Sequence, residues 1–323
     1  MLSFLPAPLL LIINLLLISI NTLIFSLPIF IIAILRPLLP FAAAQRVCES
    51  GNNLIYHIWT DINCLIMHLT NRLELHIEGL EQVNIARSCI IVSNHISWTD
   101  IVMIGRIFGH RIPITKFFMK HSLIYIPVIG LVCFGLGMPF LRRYSRQQLL
   151  KNPKLKGKDI ASTKKACRRL VHAPSSLVNF AEGTRFTPAK RDAVKSPYRH
   201  LMPPKATSLA IALGQIGTQV ECLINLTLAY PENPHKPFIA LLKGRMTKVY
   251  AHIEVIDKEA LAPHCGDYLN DKQFKHDFTL WLRDLWQQKD ELLSREVYHD
   301  APQSLASPQH EAKATIPTDK KEP

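Results

Sequence analysis

The chain of 323 residues has no Lys, Arg, Asp or Glu before Arg36. That lack excludes an ordinary water-facing surface for its first stretch. A helix rising ~1.5 Å per residue over that length exceeds the ~30 Å hydrocarbon core of a bilayer. Leu9 to Leu27 is also free of proline and suits a membrane span, and Pro28 offers a bend. The rival reading is a cleaved signal peptide with FAAAQ (41–45) as its site. It lacks a basic segment ahead of the apolar run, and the run is about twice too long. Arg36 and Arg46 follow the apolar run, which by the positive-inside rule places the remainder in the cytoplasm. The seven cysteines are odd in number and scattered, with no C-x-x-C pair, so reduced thiols are expected rather than a disulfide framework.

Acids are scarce between Leu141 and Lys205, where 17 Lys and Arg face three acidic residues, Asp159, Glu182 and Asp192. A window this basic points to phosphate: nucleic acid, anionic lipid headgroups or a phosphorylated substrate. For any single lysine a solvated helix face explains as much. Zinc-finger spacing and aromatic RNP-like strands are both lacking, so nucleic acid is not expected as a partner. The 14 histidines show no ligand spacing, and no metal is expected. No serine stands in a G-x-S-x-G elbow.

What is present alternates between strand and helix. CLIMHLTNRLELHIEGLE reads as a helix end and then a strand, with Leu73, Leu75 and Ile77 alternating against Glu74, His76 and Glu78. RSCIIVSN is a short buried strand, WTDIVMIGRIFG a helix ending near Gly109, and IPITKFFMK another strand. Leu123–Leu141 is uncharged, yet Pro127, Gly130, Gly135, Gly137 and Pro139 break it into a short buried helix and a strand. Further strands are expected at 175–183, 222–230 and 246–256. Helices are expected over KDIASTKKACRRLVH and ATSLAIALG, and an aromatic stripe of Phe274, Phe278 and Trp281 marks a packed helix. The fold class is α/β, a mixed sheet flanked by helices with an N-terminal apolar membrane-anchor helix. The expected division is an anchor over 1–45, a catalytic domain over 46–300, and a polar, Pro-rich, disordered tail over 301–323.

Three strand ends carry chemistry. In IIVSNHISWTDIV, His95 and Asp100 are five residues apart. On one continuous helix they would diverge by ~140°. They meet only if His95 stands on the turn before the helix, and Ser97-Trp98-Thr99-Asp100 has the S-x-x-D form of a capping box that begins one. The carboxylate would then fix the imidazole tautomer and leave the other nitrogen as a base; a plain capping Asp beside a surface His is the bland reading. NFAEGTRFT ends a strand in Glu182-Gly183-Thr184-Arg185, a turn whose amides can face an anion. GMPFLRRYSR supplies Arg142, Arg143 and Arg146.

Asn94-His95 with Asp100 resembles the H-x4-D motif of the glycerolipid acyltransferases. Gly137, Phe140 and Arg143 resemble that family's second motif, and Phe180, Glu182, Gly183, Thr184 and Arg185 its third, with KHSLIYIPVIG between the first two. Order and spacing are similar to the 1-acyl-sn-glycerol-3-phosphate acyltransferases over about residues 75–235, and the longer pattern resembles a bacterial inner-membrane branch. The chain departs from the family where Arg142 replaces an acid, Ala181 a proline, and Asn225 the proline of the fourth motif.

The resemblance implies acyl transfer from acyl-CoA or acyl-carrier protein to lysophosphatidic acid, with no further cofactor and with anionic membrane lipids as surroundings. It implies His95 as base and Asp100 as its orienting carboxylate. Arg143, Arg185 and Lys120 would hold the acceptor phosphate, and Gly183 amides would bind phosphate or an oxyanion. Glu182 would orient the cations, with Asn94 and Thr184 completing the acceptor site. A Ser93 or Ser97 hydrolase and a non-catalytic membrane adaptor are the alternatives from other classes.

Overall fold

The structure is a computed structural model that describes residues 2–39, 41–85, 87–126, 128–141, 150–152, 157, 160–161, 163–164, 167 and 174–299. The tail 301–323, Arg142, Arg143 and Arg146 lie outside the described residues, as does most of KDIASTKKACRRLVH.

Two long helices, α1 (Ala7–Leu38) and α2 (Ala42–Thr70), precede strand β1 (Glu74–Glu78). The all-apolar strand β2 (Cys89–Ser93) follows and is buried at every position, as a central strand must be. Next come α3 (Thr99–Phe108), β3 (Thr115–Phe117), β4 (Met119–Lys120), α4 (Ile129–Gly135) and β5 (Phe140–Leu141). The later elements are β6 (Ser176–Phe180), α5 (Pro188–Ala193), α6 (Ala206–Ile216), β7 (Cys222–Ala229), α7 (Pro237–Leu242), β8 (Lys248–Asp257) and α8 (Lys272–Leu292).

Six strands form one sheet in the order β1-β8-β7-β2-β6-β3, in which only β7 and β8 run antiparallel. This is the mixed α/β sheet expected. Alternation along each strand sorts the core into two layers. Ile90, Val92, Leu177 and Leu223 face α6 and α8, while Cys89, Ile91, Val178, Ile224 and Leu226 face α2, α3 and α7. Leu73, Leu75 and Ile77 pack on the second layer. At the β1 turn Gly79 has φ 79°, and a Cβ there would lie 2.0 Å from the Ile253 carbonyl oxygen, so no larger residue fits.

Two expectations are corrected. IPITKFFMK is not one strand. The Phe117 amide meets Met138 Sδ and the Met119 amide donates to Pro139 O at 2.8 Å, which draws the second half out of the main sheet to pair with β5. Within 123–141 the short helix is present, but it is not buried. Gly130 and Gly135 are its only buried residues, because it turns its glycine side inward and leaves Ile129, Leu131 and Phe134 exposed.

Helix α1 is long and apolar enough to cross a membrane and continues unbroken through Pro28. One of its faces rests on the rest of the molecule. Asn14 Nδ2 donates to Leu242 O at 2.8 Å, Asn21 Nδ2 to Trp59 O at 3.1 Å, and Ile29 packs where Gly135 makes room. Leu15, Leu16, Ile20, Leu23, Ile24 and Leu27 point away. Helix α2 begins at Ala42, so the position chosen from the sequence as the end of the anchor falls inside it.

Candidate active site

The carboxyl ends of β2, β6 and β7 lie side by side, and the chain leaves β2 toward β6 on one side while β7 flanks the other. Such a switch point leaves a crevice where α/β folds keep their sites.

His95 stands on the turn between β2 and α3, and Asp100 falls in the first turn of α3. His95 Nδ1 lies 2.7 Å from Asp100 Oδ2. The same oxygen accepts the Ile96 amide at 2.7 Å and the Ser97 amide at 3.0 Å. Oδ1 accepts the Tyr230 hydroxyl at 2.8 Å. Asp100 is fully buried, and a carboxylate in that position is tolerable only because these donors surround it. The His95 side chain keeps 18% exposure, so its ring reaches the crevice. Phe180 stacks on that ring with centroids 4.1 Å apart. The capping box is shifted by one residue: helix α3 starts after Trp98, and the Ser97 hydroxyl accepts the Thr99 amide at 2.9 Å.

Asn94 is placed beside this pair, but its amide group is used within the fold. Nδ2 donates to Leu228 O and Oδ1 accepts Leu228 N, both at 2.9 Å. Gly183 has φ 68°, the left-handed conformation that favours glycine, and its N–H donates to Phe180 O at 3.0 Å, which closes the turn. That amide is therefore not turned toward an anion. Thr184 Oγ1 and Arg185 O both receive Lys190 Nζ, at 3.2 Å and 3.0 Å. The Arg185 guanidinium lies 5.6 Å from the Trp98 ring centre, beside the crevice. The Phe186 amide donates to His95 O at 2.7 Å, which ties the third motif to the first.

Among the described residues Glu182 pairs with no cation. It is buried behind the turn, where its carboxylate faces the amides of His95 and Met202 and the Trp286 indole, none meeting it in good hydrogen-bond geometry. Burial pushes its carboxyl well above the usual range, and the nearby Asp100 charge adds to the rise. Lys120 lies in β4, and Arg143 lies outside the described residues. Neither serine proposed for a hydrolase serves His95: Ser93 Oγ donates to Asn94 O at 3.0 Å, and Ser97 Oγ is held by the Thr99 amide. Tyr230, Phe180 and Lys190 were not singled out from the sequence. Tyr230 had one usable signal, a phenol at the end of a strand otherwise wholly apolar on that face.

A carboxylate-oriented imidazole at the mouth of a mixed α/β sheet is an arrangement that can take a proton from a hydroxyl. The family model described as Acyltransferase matches residues 74–220. The 1-acyl-sn-glycerol-3-phosphate acyltransferase 2 of Brassica oleracea is 26% identical over 225 residues, 65% of this chain and 52% of that protein. The chain thus spans about half the length of that relative. The 2-acyl-1-lysophosphatidylinositol acyltransferase of Saccharomyces cerevisiae is 24% identical over 156 residues, 43% of this chain and 36% of that protein. The crystal structure of the 1-acyl-sn-glycerophosphate (LPA) acyltransferase, PlsC, from Thermotoga maritima is similar at 19% identity and a TM-score of 0.46, over 86% of this chain and 98% of that one.

Proposed function

We propose that this chain is a membrane-bound 1-acylglycerol-3-phosphate O-acyltransferase. It moves a fatty acyl group from acyl-CoA or acyl-carrier protein to the 2-hydroxyl of lysophosphatidic acid and forms phosphatidic acid. The observation that carries the reading is the His95 Nδ1 to Asp100 distance of 2.7 Å, with Asp100 held from its far side by Tyr230. With Nδ1 engaged, Nε2 is the nitrogen left to take a substrate proton. The acceptor oxygen bonds to the thioester carbonyl carbon as its proton passes to Nε2, and the buried Asp100 charge supports the resulting imidazolium. The tetrahedral intermediate then breaks its C–S bond, and the departing sulfur recovers the proton from Nε2.

Arg185, Lys190, Arg143 of the second motif and Lys120 of the stretch before it supply charge for the acceptor phosphomonoester. Helix α1, with the exposed apolar residues of α2 and α4, holds the protein at a bilayer. Arg36 and Arg46 favour the cytoplasmic face of the inner membrane.

The test is to assay the detergent-purified protein with labelled acyl-CoA and acyl-carrier protein against a panel of lysophospholipids. Phosphatidic acid from lysophosphatidic acid is the expected product, slowed at least ~10² by His95→Ala, the scale of general-base catalysis. Preference for another lysophospholipid headgroup would correct the acceptor. Turnover that survives His95→Ala, or stable acyl label on Ser93 or Ser97 without acceptor, would overturn the mechanism.

A further inference from the structure

The buried face of α8 is apolar at Phe278, Leu282, Leu285 and Trp286, then changes at Lys289 and Asp290, which are buried as well. An ammonium taken out of water costs several kcal/mol unless its donors are met and negative charge is near. Lys289 is 2% exposed. Its Nζ donates to Leu226 O at 2.6 Å and to Thr227 Oγ1 at 3.1 Å, and lies 5.5 Å from the Trp286 ring centre. Both acceptors belong to β7. Just beyond them, Leu228 is held in both directions by Asn94, and Tyr230 reaches Asp100. The segment that Lys289 grips therefore carries the clamps on either side of His95.

A second connection runs through Glu182. Its buried carboxylate lies beside the His95 amide at the end of β6 and within the field of Lys289 and the reach of Trp286. Asp290, next on the same helix face, accepts the amides of Arg199 at 2.8 Å and His200 at 2.7 Å, which steadies the stretch leading to Met202.

We propose that Lys289 is a positioning residue of the acyl-transfer centre: its hydrogen bonds fix the end of β7, so that Asn94 and Tyr230 hold His95 and Asp100 in register. The proposal rests on the acyltransferase reading above. Lys289 stands beyond residues 74–220, so the C-terminal helix completes a site whose motifs lie elsewhere.

The titratable groups around the amine are His252 and Glu254 on β8, Glu182 after β6, and Glu291 and Arg295 at its own helix end. Four of them line a cavity of about 320 Å³ that Lys289 also borders. Burial outweighs Glu254 and Glu182 and brings the ammonium down to about 7. Lys289 thus changes charge in the pH range where a histidine base works.

Lys289→Met tests this. Lys289→Met should lower kcat by about 10- to 100-fold while leaving KM for thioester and lysophospholipid nearly unchanged, the pattern of lost register. The His95 ring resonances, read by NMR of ring-labelled protein in micelles and assigned with His95→Asn, should shift in Lys289→Met. If Lys289→Met does not accumulate, Thr227→Val, which removes one acceptor, should shift the same quantities less. Wild-type kcat in Lys289→Met, or unmoved His95 ring resonances, overturns the proposal. Shifted resonances in Lys289→Met beside a wild-type protein that transfers no acyl group would instead overturn the acyltransferase reading and leave the positioning role standing.

Discussion

Asp100 accepts four hydrogen bonds while wholly buried, three of them on the oxygen that faces His95. The two backbone donors come from its own turn, and spacing alone makes them available. Tyr230 comes from 130 residues away, and no local pattern pairs it with Asp100. Hydrogen bonds to charged groups contribute about 1.5–3 kcal/mol, so Tyr230→Phe should reduce kcat by roughly 10-fold or more with the protein still folded. Unchanged steady-state turnover in that variant would show the phenol to be packing only. Asp100→Asn should be more damaging, at least ~10², because an amide donor toward Nδ1 selects the wrong tautomer. Arg185 rests on Trp98 beside the crevice. Arg185→Ala should lower kcat/KM for lysophosphatidic acid by about 10- to 100-fold and spare an acceptor without a phosphomonoester. Equal losses for both acceptors would make Arg185 a structural residue.

Among elements, β7 and α8 carry more of the site than their sequences suggest. Phe278 and Trp281 read as core packing, and Phe278 is buried in the first layer, yet the same helix ends in Lys289 and Asp290. A lysine and an aspartate in a charged segment look like solvent residues until the fold buries them. Asp290 fixes His200, whose ring stacks on Tyr298 and meets Ser294 Oγ at 3.1 Å. Burial and the charges of Arg199 and Arg191 bring His200 down to about 4. A histidine depressed below its unfolded value of about 6.5 binds fewer protons when folded, so stability is complete above that value and falls as pH drops toward 4. Thermal unfolding of the wild type should therefore weaken across that window more steeply than that of His200→Gln. Parallel pH curves would show that His200 titrates as an exposed ring.

For the whole molecule, α1 is both an apolar surface and a structural cover. Removing residues 2–39 would uncover Leu242 O, Trp59 O and the face of Gly135. The truncated protein should unfold at a lower temperature than the full chain. It should still float with vesicles at about 1 M salt, where charge is screened beyond ~3 Å, because Leu54, Leu65, Leu69, Ile129 and Phe134 remain exposed. A truncated protein with unchanged thermal stability and no vesicle binding would reduce α1 to a detachable tether.

The sequence by itself marked most of the strands and the turn that brings His95 to Asp100, since these depend on short apolar or alternating runs and on contacts within six residues. It also marked the apolar helix and the third-motif turn. Only the tertiary structure decided that Asn94 clamps β7, that the Gly183 amide closes its own turn, and that Glu182 faces the interior rather than the arginines. The physical reason is the same in each case. A polar side chain next to a strand end can turn to the crevice or to the backbone of a neighbouring strand, and which partner lies within hydrogen-bond reach is set by strands paired across more than a hundred residues.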